Sequence, residues 1–481
     1  MKPAVRVLRD TYLDSVLQLL GARAMRGADG VEWATAVMAT AANLDALRQE
    51  GFDPPVASPY DLVLAVRASD PEAAFAEGER AMSGPRESGP AEQHPRSLAE
   101  ALERRPGSTV AVVSVPGDYA ALHAHKALGR GLDVLLFSDN VSVADEIALK
   151  DHAVRRGRLL MGPGAGTAVI DGVGLGFANV VRPGPVGIVA AAGTGAQEVM
   201  CLLDRAGVGV SQVVGLGGRD LTAEVGGRMA AQAVRRLDED PSTELILLVS
   251  KPPDERVMRR VMAAARTTAM VTALLGVAGE TLEGGVVRAL ELLGRPVPSF
   301  DRRHGPSVDV AASRRAPGRT TVRGLFSGGS LCYEAIAVLS GILGPVWSNT
   351  PIDPECRLPA PPGSHVCLDV GEEEYTRGRP HPMIDPGARL ELLHESGPDV
   401  AVVLLDVVLG HGAHPDPAGI LAPELARLDG PQVVAHVLGT ARDPQGYDEQ
   451  VRALAEAGCV VTETAADAAR AAAAIARGGS A

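Results

Sequence analysis

Two imidazoles and a carboxylate share one short turn, Gly410-His411-Gly412-Ala413-His414-Pro415-Asp416-Pro417. An imidazole changes charge near working pH. That makes His414 the candidate for proton transfer, with Asp416 to orient it and His411 or His381 as its alternate. The prolines flanking Asp416 restrict the backbone and set the geometry of the turn. The plainer reading is a capped strand-to-helix loop, with Asp416 as N-cap and both histidines solvated. Neither this turn nor the loop at 377–386 spells HExxH or another standard metal signature, so no metal is assigned.

Four further segments carry residue types suited to anions. Gly193, Thr194 and Gly195 follow an apolar run and open a helix, where free N–H groups cradle a phosphate or carboxylate, unless the glycines serve only close packing. The spacing there matches neither the dinucleotide fingerprint nor a Walker loop. Arg219, after Gly215-Leu216-Gly217-Gly218, offers a bidentate fork to an oxyanion, or else an ordinary pair with a nearby acid. Ser327, Gly328 and Gly329 precede an apolar helical segment, as an anion cradle or as a serine cap with hinge glycines. Arg377, Arg379 and His381, splinted by Pro380 and Pro382, form a basic clamp or a solvated basic loop.

The elements that must position these turns alternate along the chain. Residues 400–409 have the length and Val/Leu content of a buried parallel strand, and 418–428 read as a helix despite Pro423. Ligands of such sheets gather beyond the carboxyl ends of the strands. Strand signals at 186–191, 210–216, 245–250 and 270–275 repeat the rhythm, as do those at 365–370, 433–438 and 459–462. The fold class predicted is α/β: several parallel-sheet domains, Rossmann-like and flavodoxin-like, behind a small N-terminal α/β domain. The predicted domains are 1–83, the small unit; 97–183, a truncated Rossmann-like domain; and 184–300 and 322–481, two flavodoxin-like domains. Residues 83–95 and 301–321, rich in proline, glycine and charge, read as linkers.

Hydrophobic content of 46% with 22% charged residues in a 481-residue chain is that of an ordinary globular protein with ample core. A net charge of −13 argues against a phosphate-backbone partner, and 3% aromatics leave little for base stacking. The five cysteines are odd in number and lack paired spacing, so neither a zinc pattern nor a disulfide framework emerges. Arg6, Arg9, Asp10 and Asp14 interrupt any signal-peptide core, and no run nears the roughly 18 apolar residues of a membrane span. A cytoplasmic protein with neither nucleic-acid nor membrane partner is the expectation.

The stretch GPVGIVAAAGTGAQEVMCLLDRAGVGVSQVVGLGG at 184–218, followed by Asp240-Pro241-Ser242-Thr243-Glu244, resembles the ligase half of succinyl-CoA synthetase alpha subunits. Met161-Gly162-Pro163-Gly164 resembles the entry into that half. His365-Val366-Cys367-Leu368-Asp369-Val370-Gly371 and residues 400–410 resemble the carboxyl-terminal domain of the beta subunit. The order of these pieces, together with FSGGSLCYEA at 326–335, GRPHPMID at 378–385 and VVLGHGAHPDPAG at 407–419, resembles the FdrA-like family over nearly the whole chain. The departures from the synthetase are specific. Its phosphorylated histidine lies in a turn that corresponds to Gly276-Val277-Ala278-Gly279, which has no histidine. The acid that supports that histidine corresponds to Lys251. Its first strand and CoA-gripping glycine loop have no counterpart, since the linker 83–95 stands there. No phosphoenzyme on this half is expected, CoA is not expected to bind, and no cofactor is assigned.

The resemblance implies a carbamoyltransferase subunit, like that of oxamate carbamoyltransferase in anaerobic allantoin degradation. Its substrates would be small anions, carbamoyl phosphate and an oxamate-like acceptor, and it would act with companion subunits or as a homo-oligomer. In that reading the glycine turns at 193–195 and 327–329 hold the phosphoryl group, Arg379 or Arg219 meets the charge on the departing phosphate, and His414 moves the proton. Two alternatives stand beside it: an ADP-forming acyl-CoA synthetase-like ligase or CoA-dependent acyl transferase, and a non-catalytic scaffold subunit.

Overall fold

Apolar alternation and capped helical runs organise the first eighty residues. The computed structural model describes residues 2–13, 15–83, 95–277, 279–377, 379–395 and 397–479. Residues 84–94 of the linker and Ala278 thus lie outside the described residues. Strands β1 (Lys2–Leu8), β2 (Val31–Met38) and β3 (Leu62–Ala68) form a sheet in the order β1-β3-β2, with helices α1 (Ser15–Arg26), α2 (Ala41–Gln49) and α3 (Pro71–Ser83). Successive side chains of β3 point to opposite faces. Leu62, Leu64 and Val66 join Ala22, Met25 and Phe75 in one cluster, while Val63 and Ala65 join Leu44, Leu47 and Phe52 in another. Three strands and three helices make this the small α/β unit expected at the amino end, with both outer strands antiparallel to β3. Residues 373–381, with the short helix α13 (Glu373–Thr376), cluster with this unit.

The second unit comprises 96–372 and 382–481. After α4 (Leu98–Arg104), a parallel three-stranded sheet is built from β4 (Val110–Val113), β5 (Asp133–Leu136) and β6 (Leu160–Met161), joined by α5 (Gly117–Gly129) and α6 (Val143–Arg155). A six-stranded sheet follows in the order β12-β11-β9-β10-β7-β8. Its strands are β7 (Thr167–Ile170), β8 (Val173–Gly176), β9 (Pro183–Ala190), β10 (Val210–Gly215), β11 (Leu245–Ser250) and β12 (Ala269–Leu274). Its helices are α7 (Gly193–Arg205), α8 (Arg228–Asp238), α9 (Glu255–Met262) and α10 (Leu282–Leu292). The hairpin β7–β8 lies inside the span 97–183 yet pairs antiparallel with β10, so the sheet starts earlier than the boundary at 184 implies. Asp171 and Gly172 make that hairpin, both at positive φ (50° and 77°), as a type I′ turn demands.

A seven-stranded sheet completes the unit in the order β13-β19-β18-β17-β14-β16-β15. Its strands are β13 (Arg303–His304), β14 (Thr321–Phe326), β15 (Val346–Trp347), β16 (His365–Asp369), β17 (Val400–Val408), β18 (Gln432–Leu438) and β19 (Val460–Thr462). Its helices are α11 (Val308–Ser313), α12 (Gly329–Leu343), α14 (Gly387–His394), α15 (Pro417–Leu425), α16 (Tyr447–Glu456) and α17 (Ala465–Arg477). The segment 301–321 is not a plain linker: it supplies the edge strand β13 and helix α11. The Arg303 guanidinium forks onto Asp467, with bonds of 2.8 and 2.7 Å. All nine residues of β17 are buried, as a strand covered on both faces requires. Alanine dominates the buried α17, whose small side chains let it lie close among its neighbours. Residues from α7, α12, α17, β11 and β17 share one apolar cluster, so the two larger sheets share a core.

Candidate functional site

Helix α7 springs from the end of β9 and α12 from the end of β14. Their N-cap residues, Ala192 and Gly328, make no side-chain cap. The first N–H groups of a helix have no acceptor within it, and its dipole presents about half a positive charge there. The two starts abut. Ser330 N donates to Thr194 Oγ1 at 3.3 Å, and a Cβ on Gly328 would come within 2.7 Å of Thr194 Cγ2. Gly193 is exposed and Gly329 half-buried, so the junction opens to solvent. Two positive helix ends converging on one opening form an anion site in outline.

Three donors of the expected cradle, on two residues, face the other way. Ser327 N and Oγ donate to Asp406 Oδ1 at 2.8 and 2.9 Å, and Gly328 N donates to Asp406 Oδ2 at 2.8 Å. Ser327 and Gly328 therefore fix the loop to β17 rather than hold a ligand, and Gly329 is the first residue of that loop turned to the opening. Asp406 is fully buried, and its charge is answered by Arg389 Nη1 at 3.0 Å. Removing one partner of such a pair costs on the order of 3–5 kcal/mol, so the loop is held firmly.

Other strand ends bring Lys251 and Asp369 to the first turns of α12. Lys251 follows β11, which lies between β9 and β12, and its Nζ sits 4.9 Å from the ring centroid of Tyr333 in the first turns of α12. The turn after β12 closes on the same ring: a Cβ on Gly276 would come within 2.7 Å of Tyr333 Cε1. Asp369 ends β16 with 4% of its surface exposed. Its backbone is clamped by Asn349, through bonds of 3.0 and 2.9 Å, and its Oδ1 accepts from Gly371 N at 3.0 Å. Its Oδ2 lies so near Gly329 that a Cβ there would have to displace it. Burial, then repulsion by Glu372, lifts the Asp369 carboxyl to about 7; Gly371 N–H and Lys251 oppose the rise and Asp406 adds to it. Neither Lys251 nor Asp369 belongs to a motif that names a role. Their common signal is position at the carboxyl end of a parallel strand.

The histidine turn is a capped loop. Asp416 Oδ1 accepts from Gly419 N and from Gln450 Nε2, each at 3.0 Å, and so caps α15 instead of orienting an imidazole. Its backbone N–H instead donates to His414 Nδ1 at 3.0 Å, which puts the proton of the neutral ring on Nε2. His411 is exposed, and its N–H donates to Ala178 O at 2.8 Å. The turn is linked to α7: Asn179 Nδ2 donates to Leu409 O, and Asn179 Oδ1 accepts from Gln197 Nε2. Arg219 is not a free fork, because its Nε lies 2.8 Å from Glu146 Oε2 and its Nη2 donates to Val141 O. Glu146 in turn holds the fully buried Lys150, so Arg219 closes an internal network. Arg377, Arg379 and His381 fall in the segment that clusters with the amino-terminal unit, where Arg377 Nη2 meets Glu373 Oε1 at 3.2 Å.

Among known proteins, the CoA-ligase family matches residues 325–475, and a domain described as "AllF, heavy metal-associated domain" matches 1–97. The uncharacterized protein YahF of Escherichia coli strain K12 is 38% identical over 499 aligned residues, 96% of each chain. An alpha subunit of ADP-forming succinate–CoA ligase from Archaeoglobus fulgidus is 28% identical over 222 residues, 42% of this chain and 76% of that one. Among solved structures, ATP citrate lyase from Methanothrix soehngenii aligns with a TM-score of 0.33 at 17% identity, over 42% of this chain and 38% of that one. The family and sequence matches correct the expected enzyme class: the catalytic proteins this chain is similar to are CoA ligases, not carbamoyltransferases.

The residues do not fit two groups that these relatives' names suggest, a soft metal and CoA. A soft metal favours thiolates, but no cysteine precedes Cys201, and the loop after β1 is drawn together by Asp61, which binds Arg9 and Asp10 N. That loop does not fit a thiolate-held metal. The turn after β4 does not fit a CoA pyrophosphate: Gly117 is packed onto the carbonyls of Asp139 and Asn140, and Asp118 places negative charge in the first turn of α5. Among the described residues no helix is long and apolar enough to cross a membrane.

Proposed function

The chain belongs to the family of YahF, and from that premise we propose that its CoA-ligase core binds a small acyl phosphate at the paired starts of α7 and α12 and makes or breaks the acyl–phosphate bond there. One observation carries the reading: two helix starts without side-chain caps meet through Ser330 N and Thr194 Oγ1 beside Lys251. The N–H groups of Gly193, Thr194 and Gly195 on α7, and of Gly329 on α12, are suited to phosphoryl oxygens, with Lys251 as the cation. Lys251 stands at the position of the acid expected in a phosphohistidine mechanism. A bound anion is thus neutralised directly instead of being passed to a histidine. Within the family, an FdrA-like assignment is supported by the AllF-described model at the amino end and the CoA-ligase model at the carboxyl end. Companion subunits are part of that assignment and would bring the acceptor.

Calorimetric titration with acetyl phosphate tests the site. Wild type is expected to bind one equivalent, and Lys251→Ala to bind about ten- to a hundredfold more weakly, the worth of a charged hydrogen bond. Equal affinity in the two proteins, or no binding by either, rejects the proposal.

A further inference from the structure

Asp369 is a buried carboxyl that, among the described residues, has no ion-pair partner and no helix to cap. Its Oδ1 accepts one N–H, from Gly371, and its Oδ2 receives no hydrogen bond from the described residues while facing the start of α12 at Gly329. Ionised, it would repel any anion drawn there by the helix ends and Lys251. Protonated, it is an O–H donor aimed into the same opening. We propose that the Asp369 carboxyl is the catalytic acid of this site, giving its proton to the phosphate oxygen of the breaking acyl–phosphate bond. The proposal rests on the acyl-phosphate reading above.

The step balances without a further reagent beyond a nucleophilic acceptor carrying an S–H or N–H group. The acceptor atom forms a bond to the acyl carbon, and the bond from that carbon to the bridging phosphate oxygen breaks. The bridging oxygen takes the proton from Asp369, so phosphate leaves as the monohydrogen dianion. The Asp369 carboxylate then takes the proton shed by the acceptor, and the acid is restored. Protein-bound protons are unchanged over the cycle. A donor beside the departing oxygen meets charge as it develops, which a fixed ammonium alone does less specifically.

The surroundings of Asp369 support a held proton. Glu372 follows on its own strand end, Asp406 comes from β17 and Lys251 from the end of β11. Burial and the two acids outweigh Lys251 and the Gly371 N–H, and hold the proton up to about pH 7. From α12, the Cys332 thiol and the Tyr333 hydroxyl are both pushed up by burial and stay neutral over this range. A bound dianion adds to the same balance and raises the proton affinity further.

Sulfate is the probe, because it stays a dianion between about pH 5.5 and 9 while phosphate itself titrates. Wild-type affinity is expected to hold steady to about pH 7 and then fall about tenfold per unit, with one proton taken up per sulfate bound at pH 8. Asp369→Asn is expected to bind sulfate with a flat profile and to lose acyl-phosphate cleavage. Identical pH profiles in the two proteins, or binding without proton uptake at pH 8, overturn the proposal and leave the anion site standing. No sulfate binding at any pH overturns both. Should the asparagine disturb the loop, carbon-13 titration of the wild-type carboxyl decides: a value for Asp369 in the ordinary carboxylate range rejects the acid.

Discussion

Gly329 shows how tightly single residues define the opening. It begins α12 and leaves the space that the Asp369 carboxyl occupies, so a methyl group there must push the carboxyl aside. Gly329→Ala is expected to cost about 1–3 kcal/mol of stability by overpacking. The same change is expected to weaken sulfate binding by more than the tenfold that one donor contributes. Unchanged affinity, with or without a drop in Tm, would mean that Asp369 does not face the ligand. At this scale the sequence was legible in part. Gly193, Thr194, Gly195 and Gly329 announce themselves through glycine spacing after apolar runs. Ser327 and Gly328 look the same in sequence, yet their donors serve Asp406, an acid 78 residues further on. Asp416 and His414 read as a catalytic pair and turn out to share a backbone hydrogen bond instead.

At the scale of elements, helices α7, α10, α12 and α17 meet around buried polar groups that no ligand needs. Glu334 on α12 is fully buried, accepts from Leu282 N at 2.7 Å and lies near Glu198, Glu283 and Arg470. Burial lifts its carboxyl from 4.5 to about 8. The native state therefore keeps a proton that the unfolded chain releases above about pH 4.5. Stability from this group is complete below that pH and declines as pH rises to about 8. Glu334→Gln keeps the acceptor for Leu282 N and removes the decline. Relative to wild type, its Tm is expected to match near pH 4.5 and to exceed it by several degrees at pH 8, measured by calorimetry. A Tm difference that does not change with pH would place the group's titration elsewhere. The elements themselves were largely legible, because β17 and β11 are long apolar runs and most helices begin with a capping residue. The hairpin β7–β8 and the strand β13 were not. One is signalled by a bare Asp171-Gly172 pair. The other is two residues long and hidden among arginines that pair with Asp467 only after folding.

For the whole molecule, the informative fact is that both helix starts belong to one chain and rest on one shared core. The amino-terminal unit has its own two-faced sheet and its own apolar clusters. Fold class was readable from the β/α rhythm alone, whereas the meeting of α7 with α12 joins residues 136 apart and has no sequence signature. Locating a bound oxyanion tests the central claim most directly. In crystals of the chain soaked with tungstate, an anomalous difference map is expected to show one tungstate per chain between Thr194 and Gly329, within reach of Lys251 Nζ. The same soak of Lys251→Ala should leave that position empty. Tungstate bound elsewhere, or at the same place with equal occupancy in Lys251→Ala, would contradict the paired-helix site.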